Sequence, residues 1–335
     1  MITSVDFKNF KVLRNTSLPL ARFTLILGPN GSGKSTALQG LQLLSSATSF
    51  RRETLVSIKA SDNEPVTITA NWDEGFKAAA TWHSNGSVEF AFQDRSGRRH
   101  DPQERAVNSL FRRLQKLRIY SLDPQAIAAD VVLSPRIELG PQGSHLAGVL
   151  DRLRDEHPER FEALNDELGR WLPEFDRILF GTPNQGTRTF ILRTRRDRYG
   201  ISARDLSHGT LLALAILTLA HVDKPPPIVC LEEPDRGIHP RLLRDVRDAM
   251  YRLSHPEQFG DKARLPTQVI ATTHSPYLLD LYRDHPEEIV LAHKESTGAR
   301  FERLADREEL KEVLKDTHLG DAWFSGALGG VPLEE

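Results

Sequence analysis

The sequence predicts an α/β fold with a mixed central sheet, an antiparallel β lobe and a compact helical insert. Three observations point there. The apolar run Phe23-Thr24-Leu25-Ile26-Leu27 passes through a glycine-rich turn into a stretch whose apolar residues recur at helical spacing. Two later apolar runs, Ile228–Leu231 and Val269–Ala271, are separated by a helical pattern, as buried parallel strands are. Between about Val56 and Phe92, short β-like runs (VTITANW, AAATWH, VEFAF) alternate with Asn, Gly and Asp turns.

The elements follow in order. The first 27 residues alternate in character and end in the strand FTLIL. From about Pro102 to Pro173 helical periodicity dominates, most clearly from His145 to Leu172. RILF and RTFILRTRRDR then read as a returning hairpin around Asn184 to Gly186. A helix follows Leu206-Ser207-His208-Gly209-Thr210 to about His221, and another spans about Pro240 to Leu253. EEIVLAHK is a last strand, followed by a charged helix and a glycine-rich tail. The expected organisation is residues 1–100 for the first part of the main α/β domain with the β lobe and 101–200 for the insert and hairpin. Residues 201–290 form its second part and 291–335 a tail. No heptad run is long enough for a coiled-coil arm.

Composition removes several classes. Charged residues make up 27% and hydrophobic ones 39%, a globular balance. The net charge of −2 gives no whole-molecule field for nucleic acid, which leaves only a local patch. One cysteine, Cys230, excludes an intramolecular disulfide and a zinc hook and fits a reducing cytoplasm. Leu211–Ala220, the most apolar segment, is too short to cross a bilayer, so a soluble cytoplasmic protein with no membrane partner is expected.

The chemistry begins at Gly28-Pro29-Asn30-Gly31-Ser32-Gly33-Lys34-Ser35, which fits G-x-x-x-x-G-K-[ST]. Glycines let successive backbone N–H groups curl inward around phosphates, and the following helix adds the positive end of its dipole. Asn30, Gly31, Ser32, Gly33, Lys34, Ser35 and Thr36 are therefore the candidate ATP-binding residues. Lys34 reaches the β- and γ-phosphates, and the Ser35 hydroxyl is placed for Mg²⁺. Far downstream, the apolar run Ile228–Leu231 ends in Glu232-Glu233-Pro234. Adjacent residues on a strand point to opposite sides, so the acids can divide labour. Glu232 is assigned to the metal shell and Glu233 to the attacking water.

With these residues in place, the order GPNGSGKS, LSHGT, LEEP, DRGIHP (Asp235 to Pro240) and TTHSP (Thr272 to Pro276) resembles the ABC-type ATPases of the RecF, SMC and OLD group. It is similar to stand-alone RecF-like ATPases of bacterial genome-maintenance and phage-defence systems. The resemblance covers residues 1 to about 280 and implies a P-loop fold of ABC type, ATP with Mg²⁺, and composite sites formed when two copies pair on ATP. It implies that Ser207 and the backbone at Gly209 cap the γ-phosphate of the opposite copy, that DRGIHP crosses the dimer seam, and that His274 bonds the γ-phosphate and the attacking water. It implies Gln125 as the Mg²⁺-sensing glutamine and Lys11 as a basic residue near the nucleotide. His208 and Glu232 depart from the usual Gly and Asp of these motifs.

Basic clusters at Arg51-Arg52, Arg98-Arg99, Arg112-Arg113 with Lys116 and Arg118, and Arg193 to Arg198 raise DNA as a further partner. About 60 residues follow TTHSP, too few for the nuclease domain of the OLD branch, so an effector is expected as a separate protein. Trp323 and Phe324 in the tail either dock such a partner or pack on the chain's own core. Two other readings stay open: a nucleotide-switched binding module with slow hydrolysis, and a transporter's nucleotide-binding subunit.

Overall fold

The computed structural model describes residues 1–46, 54–57, 64–296, 298–308 and 318–328. Arg51, Arg52 and most of the charged helix expected near the end lie outside the described residues. In chain order the strands are β1 (Ile2–Phe10), β2 (Leu13–Pro19), β3 (Phe23–Leu27), β4 (Val66–Trp72), β5 (Lys77–Trp82), β6 (Val88–Gln93), β7 (Arg99–His100), β8 (Arg118–Tyr120), β9 (Val131–Val132), β10 (Phe175–Gly181), β11 (Thr187–Thr194), β12 (Gly200–Ser202), β13 (Ile228–Glu232), β14 (Gln268–Thr273), β15 (Ile289–Glu295) and β16 (Gly298–Arg303). The helices are α1 (Lys34–Ser46), α2 (Arg105–Gln115), α3 (Pro124–Ala128), α4 (Leu146–Glu156), α5 (Pro158–Trp171), α6 (His208–His221), α7 (Leu243–Ser254), α8 (Pro276–Asp280) and α9 (Leu319–Phe324). The stretch read as helical from Pro102 onward thus also carries β8 and β9, too short to leave a period-2 signal.

The chain divides into two compact units. One comprises Met1–Ile119, Pro226–Cys230 and Gln268–Glu335; the other comprises Tyr120–Pro225 and Leu231–Thr267.

The first unit contains an antiparallel sheet in the order β2-β1-β4-β5-β6-β7. Along β4 burial alternates, with Val66, Ile68, Ala70 and Trp72 inward, because a strand with one wet face sends successive side chains to opposite sides. These residues share one core with Phe7 and Phe10, whose rings stack 6.0 Å apart, and with Leu41 and Leu44 of α1. A mixed sheet runs β16-β15-β3-β14-β13-β8. In it β14 and β15 are both parallel to β3, and β16 returns antiparallel on β15. All five residues of β3 and all six of β14 are buried, as parallel strands covered on both faces must be. The expected fold class, a mixed sheet with an antiparallel lobe, is the one found. At the far end the Gly320 N–H donates to Asp280 Oδ1 at 2.7 Å, joining α9 to α8. Trp323 is buried beside this joint, whereas Phe324 is exposed.

In the second unit β10, β11 and β12 form an antiparallel sheet, with β9 also on β11. The outer edge of β10 is covered: Asn165 Oδ1 of α5 accepts from the Ile178 N–H at 2.8 Å, and Arg195 donates to the Phe175 carbonyl. Such cover stops an edge strand from pairing with another chain. Helix α6 is buried on every side from Thr210 to His221, which explains its uniformly apolar sequence. Its last turn holds a polar knot. The His221 Nε2–H donates to Glu167 Oε2 at 2.9 Å, the Arg252 guanidinium meets the same oxygen at 3.0 Å, and Arg264 donates to the Ala220 carbonyl at 2.6 Å.

Candidate functional site

In the first unit the phosphate loop is built by a strand, a turn and a helix in immediate succession. β3 ends at Leu27, Gly31 and Gly33 take φ of +77° and +90°, and α1 begins at Lys34. A Cβ on Gly33 would stand 2.8 Å from Leu13 Cδ2, so both the positive φ and the close approach require glycine. Lys34 is buried and donates through Nζ to the carbonyls of Gly28 at 2.7 Å and Pro29 at 3.0 Å. Asn30, Gly31 and Ser35 are exposed, Thr36 is half-buried, and Ser32 is fully buried. The Ser32 hydroxyl has no hydrogen-bond partner among the described residues. An orphaned buried hydroxyl inside a turn of inward-curling glycines is what a loop shaped for phosphate oxygens looks like. The residues fit a nucleotide triphosphate.

Two further candidates flank this loop. Lys11 sits in the β1–β2 turn with φ +49° and donates from Nζ to Gln39 Oε1 at 2.6 Å. Gln39 lies one helical turn beyond Ser35, and both are exposed, so Lys11 is anchored along the face of α1 that presents the Ser35 hydroxyl. His274 is placed by strand register. Thr273, the last residue of β14, is the Cα partner of Leu27, the last residue of β3. The two strands therefore end at one level, and the next residues are His274 on one and Gly28 on the other. Ser275 then starts α8 as its N-cap, accepting from the Leu278 N–H at 3.3 Å. Ligands of parallel sheets sit at this carboxyl end.

In the second unit the acids border a cavity of about 450 Å³, whose wall includes Asp123, His208, Glu232, Glu233 and Arg236. Glu232 is the last residue of β13, half-buried after four buried ones. Glu233 has φ +47°, a left-handed conformation that a side-chain-bearing residue adopts at a cost, and here Pro234 follows it. A pair of turns holds it there: the Arg236 N–H donates to the Glu233 carbonyl at 3.0 Å and the Ile238 N–H to that of Asp235 at 3.2 Å. The Glu233 carboxylate and the Arg236 guanidinium are 4.0 Å apart. Ser207 is the N-cap of α6, its hydroxyl accepting from the Thr210 N–H at 3.2 Å. Gly209 faces the turn after the acids, where an added Cβ would lie 2.9 Å from the Gly237 carbonyl.

The register thus brings the phosphate loop, Lys11 and His274 into one unit, while Ser207, Gly209, Glu232 and Glu233 gather in the other. Gln125 occupies the second position of α3 and is exposed; Asp123 and Pro124 make the cavity wall there. Sequence reasoning missed Asp123, which caps α3 by accepting from the Ala126 N–H at 2.8 Å. An Asp before Pro at a helix start was the available signal. It also missed Arg236, whose meeting with Glu233 depends on the intervening turn.

Comparison with known proteins adds the following. The family described as "AAA domain, putative AbiEii toxin, Type IV TA system" matches residues 61–280, and an "AAA ATPase domain" matches residues 1–96. The chromosome partition protein Smc of Methanococcus voltae is 47% identical over 51 residues, 15% of this chain and 4% of that protein. The OLD nuclease of Thermus scotoductus is 43% identical over 44 residues, 13% of this chain and 8% of that protein. The chain therefore matches only a small part of the length of these curated relatives. A crystal structure of the SmcHead bound to the C-winged helix domain of ScpA superposes with a TM-score of 0.64 at 16% identity, covering 92% of this chain and 99% of the other.

Proposed function

Because the chain belongs to that AAA-domain family and is an ABC-type ATPase of the RecF, SMC and OLD kind, we propose that it hydrolyses ATP with Mg²⁺ and pairs with a second copy when it does so. The observation that carries the reading is the register of β14 on β3, which starts the phosphate loop and the His274 segment from one end of one sheet.

In this proposal Asn30 to Thr36 wrap the phosphates and Lys34 exchanges its two carbonyl partners for phosphate oxygens. His274 bonds the γ-phosphate, and Lys11 supports the nucleotide beside α1. Glu233 orients and deprotonates the attacking water. Ser207 and the backbone at Gly209 serve the nucleotide of the second copy. Bound Mg²⁺ would supply charge neutralisation of the phosphates, with Ser35, Glu232, directly or through water, and Gln125 as the protein groups that would hold it. Hydroxyl, carboxylate and amide oxygens are the donors a hard cation such as Mg²⁺ takes, with one or two carboxylates completing a shell made largely of phosphate oxygens and water.

The family's description names a toxin of a type IV TA system, and the SmcHead structure holds the C-winged helix domain of ScpA; both support control of a separately encoded effector, with DNA as the other candidate. We place that control in genome maintenance or phage defence, in the cytoplasm. Among the described residues no helix is long and apolar enough to cross a membrane. A slow-hydrolysing nucleotide switch is the second reading, favoured by one observation: the Glu233 carboxylate lies near Arg236, a cation competing for it.

The deciding experiment weighs Glu233→Gln in solution with and without Mg·ATP, alongside the wild-type turnover rate. Doubling of mass only with nucleotide, together with wild-type hydrolysis that drops at least about 100-fold in the variant, supports catalysis at paired sites. Nucleotide-dependent pairing with negligible wild-type turnover selects the switch. A mass indifferent to nucleotide removes the roles given to Ser207 and Gly209.

A further inference from the structure

The structure sorts the basic clusters seen in the sequence. Arg99 pairs with Glu89, and Arg113 meets Glu74 at 3.5 Å and lies 5.3 Å over the Trp72 ring. Arg193 binds Asp176 through two hydrogen bonds of 2.9 and 3.0 Å. Arg195 donates to the carbonyls of Pro173, Gly169 and Phe175. These are fold-making arginines.

At the tip of the β11–β12 hairpin the pattern differs. The Thr194 N–H donates to the Tyr199 carbonyl at 2.9 Å and the Arg198 N–H to the Thr194 carbonyl at 3.2 Å, closing a loop of Arg195, Arg196, Asp197 and Arg198. Among the described residues the side chains of Arg196 and Arg198 make no ion pair and no hydrogen bond, and both are exposed. Tyr199 beside them is 56% exposed, so its ring is open to stacking next to the two arginines. Arg198 has φ +59°, where glycine or asparagine is the economical residue. After the Arg193 hydrogen bond, the Arg198 charge also helps hold the Asp176 carboxyl below the usual carboxylate range. Arg198 makes no hydrogen bond among the described residues, however, so its guanidinium donors in this strained turn are open to a partner outside the chain.

We propose that this hairpin tip is a binding element for single-stranded nucleic acid. Arg196 and Arg198 meet backbone phosphates and the Tyr199 ring stacks on an unpaired base. Between Thr194 and Gly200 three guanidiniums face one carboxylate, Asp197, so the tip is cationic on a chain whose net charge is −2. An acidic protein surface would use the arginines but leave the exposed ring idle. The inference goes beyond ATP hydrolysis and stands without it.

The test is anisotropy of labelled oligothymidylate, without nucleotide, against the oligothymidylate–oligoadenylate duplex. Wild type binds the single strand more tightly. Arg198→Gly relieves the strained turn, so its Tm is unchanged or higher while affinity falls several-fold. Adding Arg196→Glu weakens binding further and lowers the slope of log K against log salt by about 1.4, for two lost phosphate contacts. Tyr199→Ala weakens binding about ten-fold with the slope kept. Equal affinity for duplex, no binding by wild type, or wild-type affinity in Arg198→Gly and Tyr199→Ala each overturns the proposal. Because no ATP is present, failure of the catalytic reading leaves this result intact.

Discussion

Gly209 shows how narrow the tolerances are around the second unit's cavity. Its missing side chain is what lets the Gly237 carbonyl approach, and 2.9 Å is too short for a Cβ against backbone oxygen. Gly209→Ala is therefore expected to destabilise the protein by about 1–3 kcal/mol through forced displacement of the turn after the acids, measured by urea unfolding. Wild-type stability in that variant would show that the turn moves freely. Gly33 makes the parallel case in the first unit. Gly33→Ala places a methyl against Leu13 and strains φ +90°, so nucleotide binding followed by calorimetry should be lost. Lys34 needs no such constraint: its buried ammonium already lies over the loop on two carbonyls, so a phosphate finds it in place.

The α6 helix illustrates stability written at the level of an element. Burial alone would raise the Glu167 carboxyl; the His221 hydrogen bond and the Arg252 charge outweigh it and hold Glu167 below the usual carboxylate range. For His221 burial dominates and lowers its basicity despite the Glu167 bond, so the imidazole is neutral and donates from Nε2. The signs agree. A folded-state His below its ordinary value means that the unfolded chain takes up the proton first as pH falls through about 6.5. Stability is then complete above that pH and declines below it, and Glu167 extends the decline once pH drops under the ordinary carboxylate value of about 4.3. Unfolding followed by denaturant from pH 7.5 to 5 should show this loss, reduced in His221→Gln. Glu167→Gln should cost about 2 kcal/mol at pH 7.5, since Arg252 keeps its charge but loses its anionic partner. The sequence could not reveal this knot, because Glu167, His221 and Arg252 come from three separate helices. The same holds for Asn165 covering β10. By contrast β3, β13 and β14 were legible, since strands buried on both faces announce themselves as unbroken apolar runs.

At the scale of the whole molecule, what could be read in advance was what is contiguous. The phosphate loop occupies one stretch, and its neighbours β3 and α1 declare its geometry. The His274 segment follows directly from an apolar strand. Gln125 was harder: the useful signal lay two residues earlier, at Asp123, whose capping role becomes visible only with α3 in place. The basic clusters misdirected attention for a related reason. Arg193 finds Asp176 across the β10–β11 hairpin, and only pairing of the strands reveals which arginines remain uncommitted. For the molecule as a unit, ATP should shift the sedimentation coefficient of Glu233→Gln in a concentration-dependent way, because a paired state follows mass action. A shift that is the same at every protein concentration would indicate compaction of a single copy.

The backbone at Glu233 has a consequence for anyone who alters this protein by selection. Among the described residues, Asn9, Lys11, His145, Arg198 and Glu233 have left-handed φ without being glycine. Each invites a gain in heat resistance by exchange for glycine, and three of them carry the roles proposed above. A library screened only for survival at high temperature would enrich Glu233→Gly, with a Tm equal to or above wild type and no turnover. Thermal selection and catalytic selection therefore pull this chain in opposite directions, and a thermostable descendant should be sequenced at these positions before its inactivity is blamed on misfolding.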